Sequence, residues 1–87
     1  MPLPLEVRYT KAAAKYLEAL DSPTKKRIKE RVKAVAQEPD NLRLSYFLTN
    51  STKRSSRIGK YRILMLILDD VLLVSDIASR GQVYRNA

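Results

Sequence analysis

Two apolar runs separated by a pair of acids constrain this chain more than any other feature. Tyr61 to Leu68 and Val71 to Ala78 each read as an apolar strand, and Asp69-Asp70 between them reads as a tight hairpin turn. Just upstream, Ser51 to Ile58 is a polar, basic strand, joined to the first apolar run by the short turn Gly59-Lys60. Ser79-Arg80-Gly81 breaks the second run, and Gln82 to Arg85 could form a last short strand. These segments predict an antiparallel meander of three to four strands. Tyr61 fits core or sheet packing better than a base-stacking platform. Asp69 and Asp70 fit turn positions better than a metal pair, because no third acid or His ligand lies near them.

The N-terminal half supplies what covers such a sheet. Leu5 to Tyr9 alternates apolar and polar residues, as a first strand does. Thr10 can cap a helix over Lys11 to Leu20, whose apolar stripe is Ala13, Tyr16, Leu17 and Leu20. Asp21-Ser22-Pro23 then restarts the chain, with Ser22 as the expected N-cap and Pro23 at the first helical position. The second helix runs to about Gln37, buries Ile28, Val32, Val35 and Ala36, and is closed by Pro39. From Asp40 to Asn50 the pattern is weak and reads as a loop with apolar anchors Leu42, Leu44 and Phe47. The fold class is therefore α+β: an N-terminal strand, a helical hairpin, then the antiparallel meander, with the helices packed on one sheet face. At 87 residues the whole chain, 1–87, is expected to form a single domain.

Composition narrows the chemistry. There is no Cys and no His, so disulfides, thiolate metal sites and the commonest general acid/base are all unavailable. The net charge of +8 favours a polyanionic partner through counterion release, although basic domains also arise for solubility alone. The N-terminus lacks a basic lead and a long apolar core, and the longest apolar run, Ile63 to Leu68, is six residues against the roughly 20 that span a bilayer. A cytoplasmic protein with no membrane partner is the expectation.

The charge is uneven. Between Arg43 and Leu68 there is no Asp or Glu, while Arg43, Lys53, Arg54, Arg57, Lys60 and Arg62 are all basic. Strand alternation puts Lys53, Ser55 and Arg57 on one side, Arg62 opens the next strand, and Arg80 and Tyr84 follow the last apolar one. Such a basic concavity suits a phosphodiester, because Arg forks pair with phosphate oxygens and stabilise the added charge of a pentavalent transition state. RNA brings its own nucleophile in the 2′-hydroxyl, so the protein needs only to position it and move protons, with Lys53 and Tyr84 as candidates. The bland alternatives are a solvated face or a dock for an acidic partner on the basic strand, and a sheet-covering role for Tyr84. The basic stripe of the second helix (Lys25, Lys26, Arg27, Lys29, Arg31, Lys33) reads as a solvated face that could also steer RNA.

The run Arg57-Ile58-Gly59-Lys60-Tyr61-Arg62-Ile63, the acidic turn, and the closing Ile77-Ala78-Ser79-Arg80-Gly81-Gln82-Val83-Tyr84 resemble the RelE/ParE toxin superfamily. Its usual wording is R-V-G-x-Y-R-I, then D-D and a strand, then G-H-R-x-x-V-Y, and the upstream strand and helical hairpin match as well. The resemblance implies a toxin of a bacterial type II toxin–antitoxin pair. RelE-type members enter the ribosomal A site and cleave messenger RNA by 2′-hydroxyl attack without metal or cofactor. ParE-type members share the fold and inhibit DNA gyrase. Carried over by position, Lys53 is a catalytic Lys, Arg57 a basic strand residue beside the site, Arg62 a contact to the scissile phosphate, Arg80 a phosphate and leaving-group stabiliser, and Tyr84 the terminal catalytic Tyr. Ser55 stands where RelE proper has a second Lys, and Ser79 where a His is frequent. The implied partners are a cognate acidic antitoxin, mRNA and the ribosome; a non-catalytic RNA-binding module is the remaining alternative.

Overall fold

The computed structural model describes residues 3–47 and 53–79. Its elements are β1 (Glu6–Tyr9), α1 (Lys11–Glu18), α2 (Ser22–Gln37), β2 (Tyr46–Phe47), β3 (Arg54–Ile58), β4 (Tyr61–Leu68) and β5 (Val71–Ser79). The strands form one five-stranded sheet in the order β1-β5-β4-β3-β2. After the helices the chain enters at one edge as β2 and returns strand by strand, antiparallel, until β5 lies parallel to β1. The expected meander is thus present, and α1 and α2 cover one face of the sheet.

Local chemistry explains the element ends. Thr10 is extended and accepts from the Ala13 amide at 3.2 Å, which caps α1 as expected. Its hydroxyl also donates to the Ser75 carbonyl at 2.9 Å, fastening the helix start to β5. The cap of α2 is Asp21, not the expected Ser22, which already lies inside the helix. The Asp21 carboxylate, two residues before Pro23, accepts both the Thr24 amide (3.2 Å) and the Thr24 hydroxyl (3.0 Å). Those two bonds hold the Asp21 carboxyl below the usual carboxylate range. α1 stops at Glu18, short of the expected Leu20. Both hairpin connections have two residues, and each begins in the left-handed region, Gly59 at φ 56° and Asp69 at φ 55°. Glycine and aspartate tolerate that region best, so Asp69 is a turn residue.

The segment read as a loop over Asp40–Asn50 contains β2, whose Tyr46 and Phe47 pair with Ser55 and Arg54. A two-residue strand is too short to show alternation, and its position is set by β3 side chains. The Ser56 hydroxyl donates to the Leu44 carbonyl at 2.6 Å. Arg54 donates to the Pro39 carbonyl and lies 4.4 Å over the Phe47 ring. From α2, Arg31 donates to the Ser56 hydroxyl at 3.2 Å and to the Arg57 carbonyl at 3.1 Å. The expected short strand at Gln82–Arg85 lies outside the described residues.

One core joins helices and sheet: Ala13 and Leu17 from α1, Ile28, Val32, Val35 and Ala36 from α2, and Ile58, Ile63, Met65, Leu72, Val74 and Ile77 from the strands. Tyr61 belongs to this face too, edge-on to Tyr16 with ring centroids 6.4 Å apart, which settles it as packing. The pairing of β4 with β5 slips once. Leu64 faces Asp76 while Met65 faces Val74, so Ser75 is an extra residue, a β-bulge. Among the described residues no helix is long and apolar enough to cross a membrane.

Candidate active site

Because β3 and β4 alternate, each sends half of its side chains away from the helices. Arg54, Ser56 and Ile58 turn inward, and Lys53, Ser55 and Arg57 turn to the far face with Arg62 and Leu64 of β4 and Asp76 of β5. The strand register makes Arg57 and Arg62 direct cross-strand neighbours. Like charges placed opposite each other on a sheet lower stability, so this pair is not there to hold the fold together.

Arg62 is the most enclosed cation of the group, only 6% exposed. Its Nη1 donates to the Tyr46 hydroxyl at 2.9 Å and to the Ser55 hydroxyl at 3.4 Å. Both contacts orient the guanidinium fork, and a hydroxyl does so without cancelling the positive charge. Ser55 is fully buried in this role. The residue that departs from the RelE pattern is therefore a hydrogen-bond acceptor for the neighbouring Arg. A Lys side chain could not accept that bond.

Lys53 reaches across β4, placing Nζ 3.6 Å from Asp76 Oδ2, with both side chains partly exposed. Lys53, Arg57 and Arg62 are thus brought to one face, as alternation predicts. Arg80 and Tyr84 lie outside the described residues. Arg54 is committed to the Pro39 loop and Phe47, so it does not substitute for a Lys at Ser55. On α2, Arg31 is tied to β3 and Lys25 pairs with Glu18 at 3.1 Å, while Lys26, Arg27, Lys29 and Lys33 are exposed. Among the described residues no three acidic, His or Cys side chains gather into a metal-binding group.

Two residues of this face were not legible beforehand. Tyr46 lies in the stretch that read as loop, and no pattern there marks it as a partner of Arg62. Asp76 had a signal, since it is the lone acid inside an otherwise apolar strand. Tyr46→Phe removes the 2.9 Å acceptor of Arg62. It is expected to cost about 1.5–3 kcal/mol of stability, the range for a hydrogen bond to a charged group, measured by denaturant unfolding. A change below a few tenths of a kcal/mol would show that the hydroxyl does not hold Arg62.

The family model of the ParE toxin of the type II toxin–antitoxin system parDE matches residues 7–84. The chain belongs to the RelE/ParE toxin family. Solved structures of the family agree in fold. The toxin–antitoxin complex RelBE2 of Mycobacterium tuberculosis has a chain 26% identical to this one with a TM-score of 0.76, aligned over 90% of this chain and 100% of that one. The RelE–RelB complex of Pyrococcus horikoshii gives 21% identity and a TM-score of 0.76, over 92% and 99% of the two chains. A double-arginine mutant of E. coli RelE in the free state gives 16% identity and a TM-score of 0.78, over 98% and 95%. No curated protein matches the sequence. In this RelE/ParE chain, β3 and β4, the strands that carry the superfamily's R-V-G-x-Y-R-I wording, are the strands that bring Arg57 and Arg62 together.

Proposed function

We propose that this toxin is a ribosome-dependent endoribonuclease that cleaves messenger RNA in the A site. The observation that carries the reading is the joint placement of Lys53, Arg57 and Arg62 on one sheet face, with the enclosed Arg62 oriented by two hydroxyls. The 2′-oxygen forms a bond to phosphorus, the bond from phosphorus to the 5′-oxygen breaks, and a 2′,3′-cyclic phosphate and a 5′-hydroxyl result. The two Arg residues bind the phosphate and its growing charge. Lys53 and Tyr84 divide the proton transfers, taking the 2′-proton and supplying one to the 5′-oxygen, and Arg80 steadies the leaving group. With no His in the chain the commonest general acid/base is absent, and the reading gives the proton transfers to Lys53 and Tyr84.

The same reading supplies a partner. The similar Mycobacterium and Pyrococcus toxins were solved bound to antitoxins. A surface of net charge +8 suits an acidic, partly disordered antitoxin that wraps it in the cytoplasm.

Primer extension on a reporter message tests the proposal, with wild type compared against Arg80→Ala and Tyr84→Phe. Wild type is expected to cut within codons on translated mRNA, and each variant to lose about 100-fold or more in rate. Messages left intact by wild type, or cut equally by all three proteins, would sink it. A second reading, a gyrase inhibitor, is favoured by one observation, that the matching family model is that of ParE. A DNA supercoiling assay separates the two, since gyrase unaffected by the toxin removes the second.

A further inference from the structure

We propose that Asp76 is a positioning residue that holds the Lys53 amine over the reacting face. The assignment rests on the endoribonuclease reading. On the far face of β3–β5 it is the one acid among the described residues, beside the cations Lys53, Arg57 and Arg62. A carboxylate there repels RNA phosphate, so its presence opposes substrate binding. Stability does not account for it either, because its ion pair with Lys53, 3.6 Å long with side chains 40% and 50% exposed, is of the solvated kind that contributes little.

The backbone departs from regularity to put Asp76 there. Val74 is fully buried on the helix face, so strict alternation would turn Asp76 inward and Ile77 outward. The extra residue Ser75 reverses that parity: Ile77 enters the core at 4% exposure, and Asp76 emerges opposite Leu64 on the far face. The bulge is fastened from several sides. Thr10 donates from its hydroxyl to the Ser75 carbonyl and from its amide to the Val74 carbonyl at 3.0 Å. Ser75 Oγ lies 3.3 Å from the Leu64 carbonyl and 3.1 Å from Asp76 Oδ2. Bulges recur where a strand must re-aim a side chain beside an active site.

What the anion does follows from the reach of its partner. Lys53 has a four-carbon stem with many rotamers, and an amine that transfers a proton must sit within hydrogen-bond range of its target. Asp76 draws Nζ of Lys53, the residue before β3, across β4 towards β5, above Leu64, which neighbours Ser55 in the register two residues along β4 from Arg62. The amine is thereby held near the phosphate-binding fork without occupying it.

Single-turnover cleavage of ribosome-bound mRNA, run beside toxin affinity for the same programmed ribosome, tests this with Asp76→Asn, Lys53→Met and the double variant. Asp76→Asn is expected to slow cleavage about 3- to 5-fold while binding stays equal or tightens, since a positioning group is lost and a repulsive charge with it. In the Lys53→Met background the same change should leave the rate within about 2-fold. Wild-type rate in Asp76→Asn, or an equal loss in both backgrounds, overturns the assignment. If Asp76→Asn is at full rate while wild type cuts, only the role of Asp76 fails. If wild type itself cuts no message, the endoribonuclease reading fails and the role falls with it.

Discussion

Arg62→Ala is expected to slow single-turnover mRNA cleavage by about 100- to 1,000-fold, the usual loss when one preorganised donor to a developing oxyanion is removed. The size of the effect follows from how the side chain is held. At 6% exposure and fixed by Tyr46 and Ser55, the fork needs little reorganisation when charge builds on the phosphate. Arg57, exposed across the ladder, lacks that enclosure and should cost less when truncated. Arg62→Lys separates geometry from charge. It keeps the cation but loses the bidentate fork, so most of the loss should persist. Thermal melts of both variants show whether the fold survives, because Arg62→Ala also leaves two hydroxyls without their donor. A folded Arg62→Ala protein that cleaves at the wild-type rate would remove Arg62 from the chemistry.

Why Arg62 was identifiable from the sequence while Tyr46 was not is a matter of range. The face of Arg62 depends on alternation within β4 and on a two-residue turn, both local and both printed in the residue types around Gly59. The same local signals placed Lys53 with Arg57, Tyr61 in the core, and the apolar stripes of both helices. Tyr46 reaches Arg62 only because β2 pairs with β3, a contact fixed by Ser56, Arg54 and Leu44 across the sheet rather than by anything near residue 46. The parallel pairing of β1 with β5 is likewise a tertiary outcome, with both helices and three strands between its partners. Asp76 was obscured by the bulge, since one added residue inverts every inside-or-outside assignment beyond it. The cap of α2 shifted by one position because two capable residues, Asp21 and Ser22, stand side by side, and the bonds from Thr24 select the carboxylate.

Ile63→Ala, one residue from Arg62, is expected to act through the opposite face of the same strand. Ile63 is fully buried on β4, with Ser56 beside it on β3 and Ile77 on β5, beneath the helices. Removing its outer carbons leaves a cavity that the central strand cannot close by shifting, because hydrogen-bonded neighbours fix it on both sides. The cost is about 2–5 kcal/mol, a large part of the roughly 4–13 kcal/mol that a domain of this size has in total. The denaturation midpoint should fall with an unchanged slope, and the melting temperature should drop by about 10 °C or more. The catalytic signature is the reverse of that of Arg62→Ala. Below its melting transition the folded fraction should cleave at close to the wild-type rate, and a ligand that binds the folded state should recover stability by mass action. A variant that stays fully folded yet loses cleavage would place Ile63, and the face it lies on, in the site instead of the core.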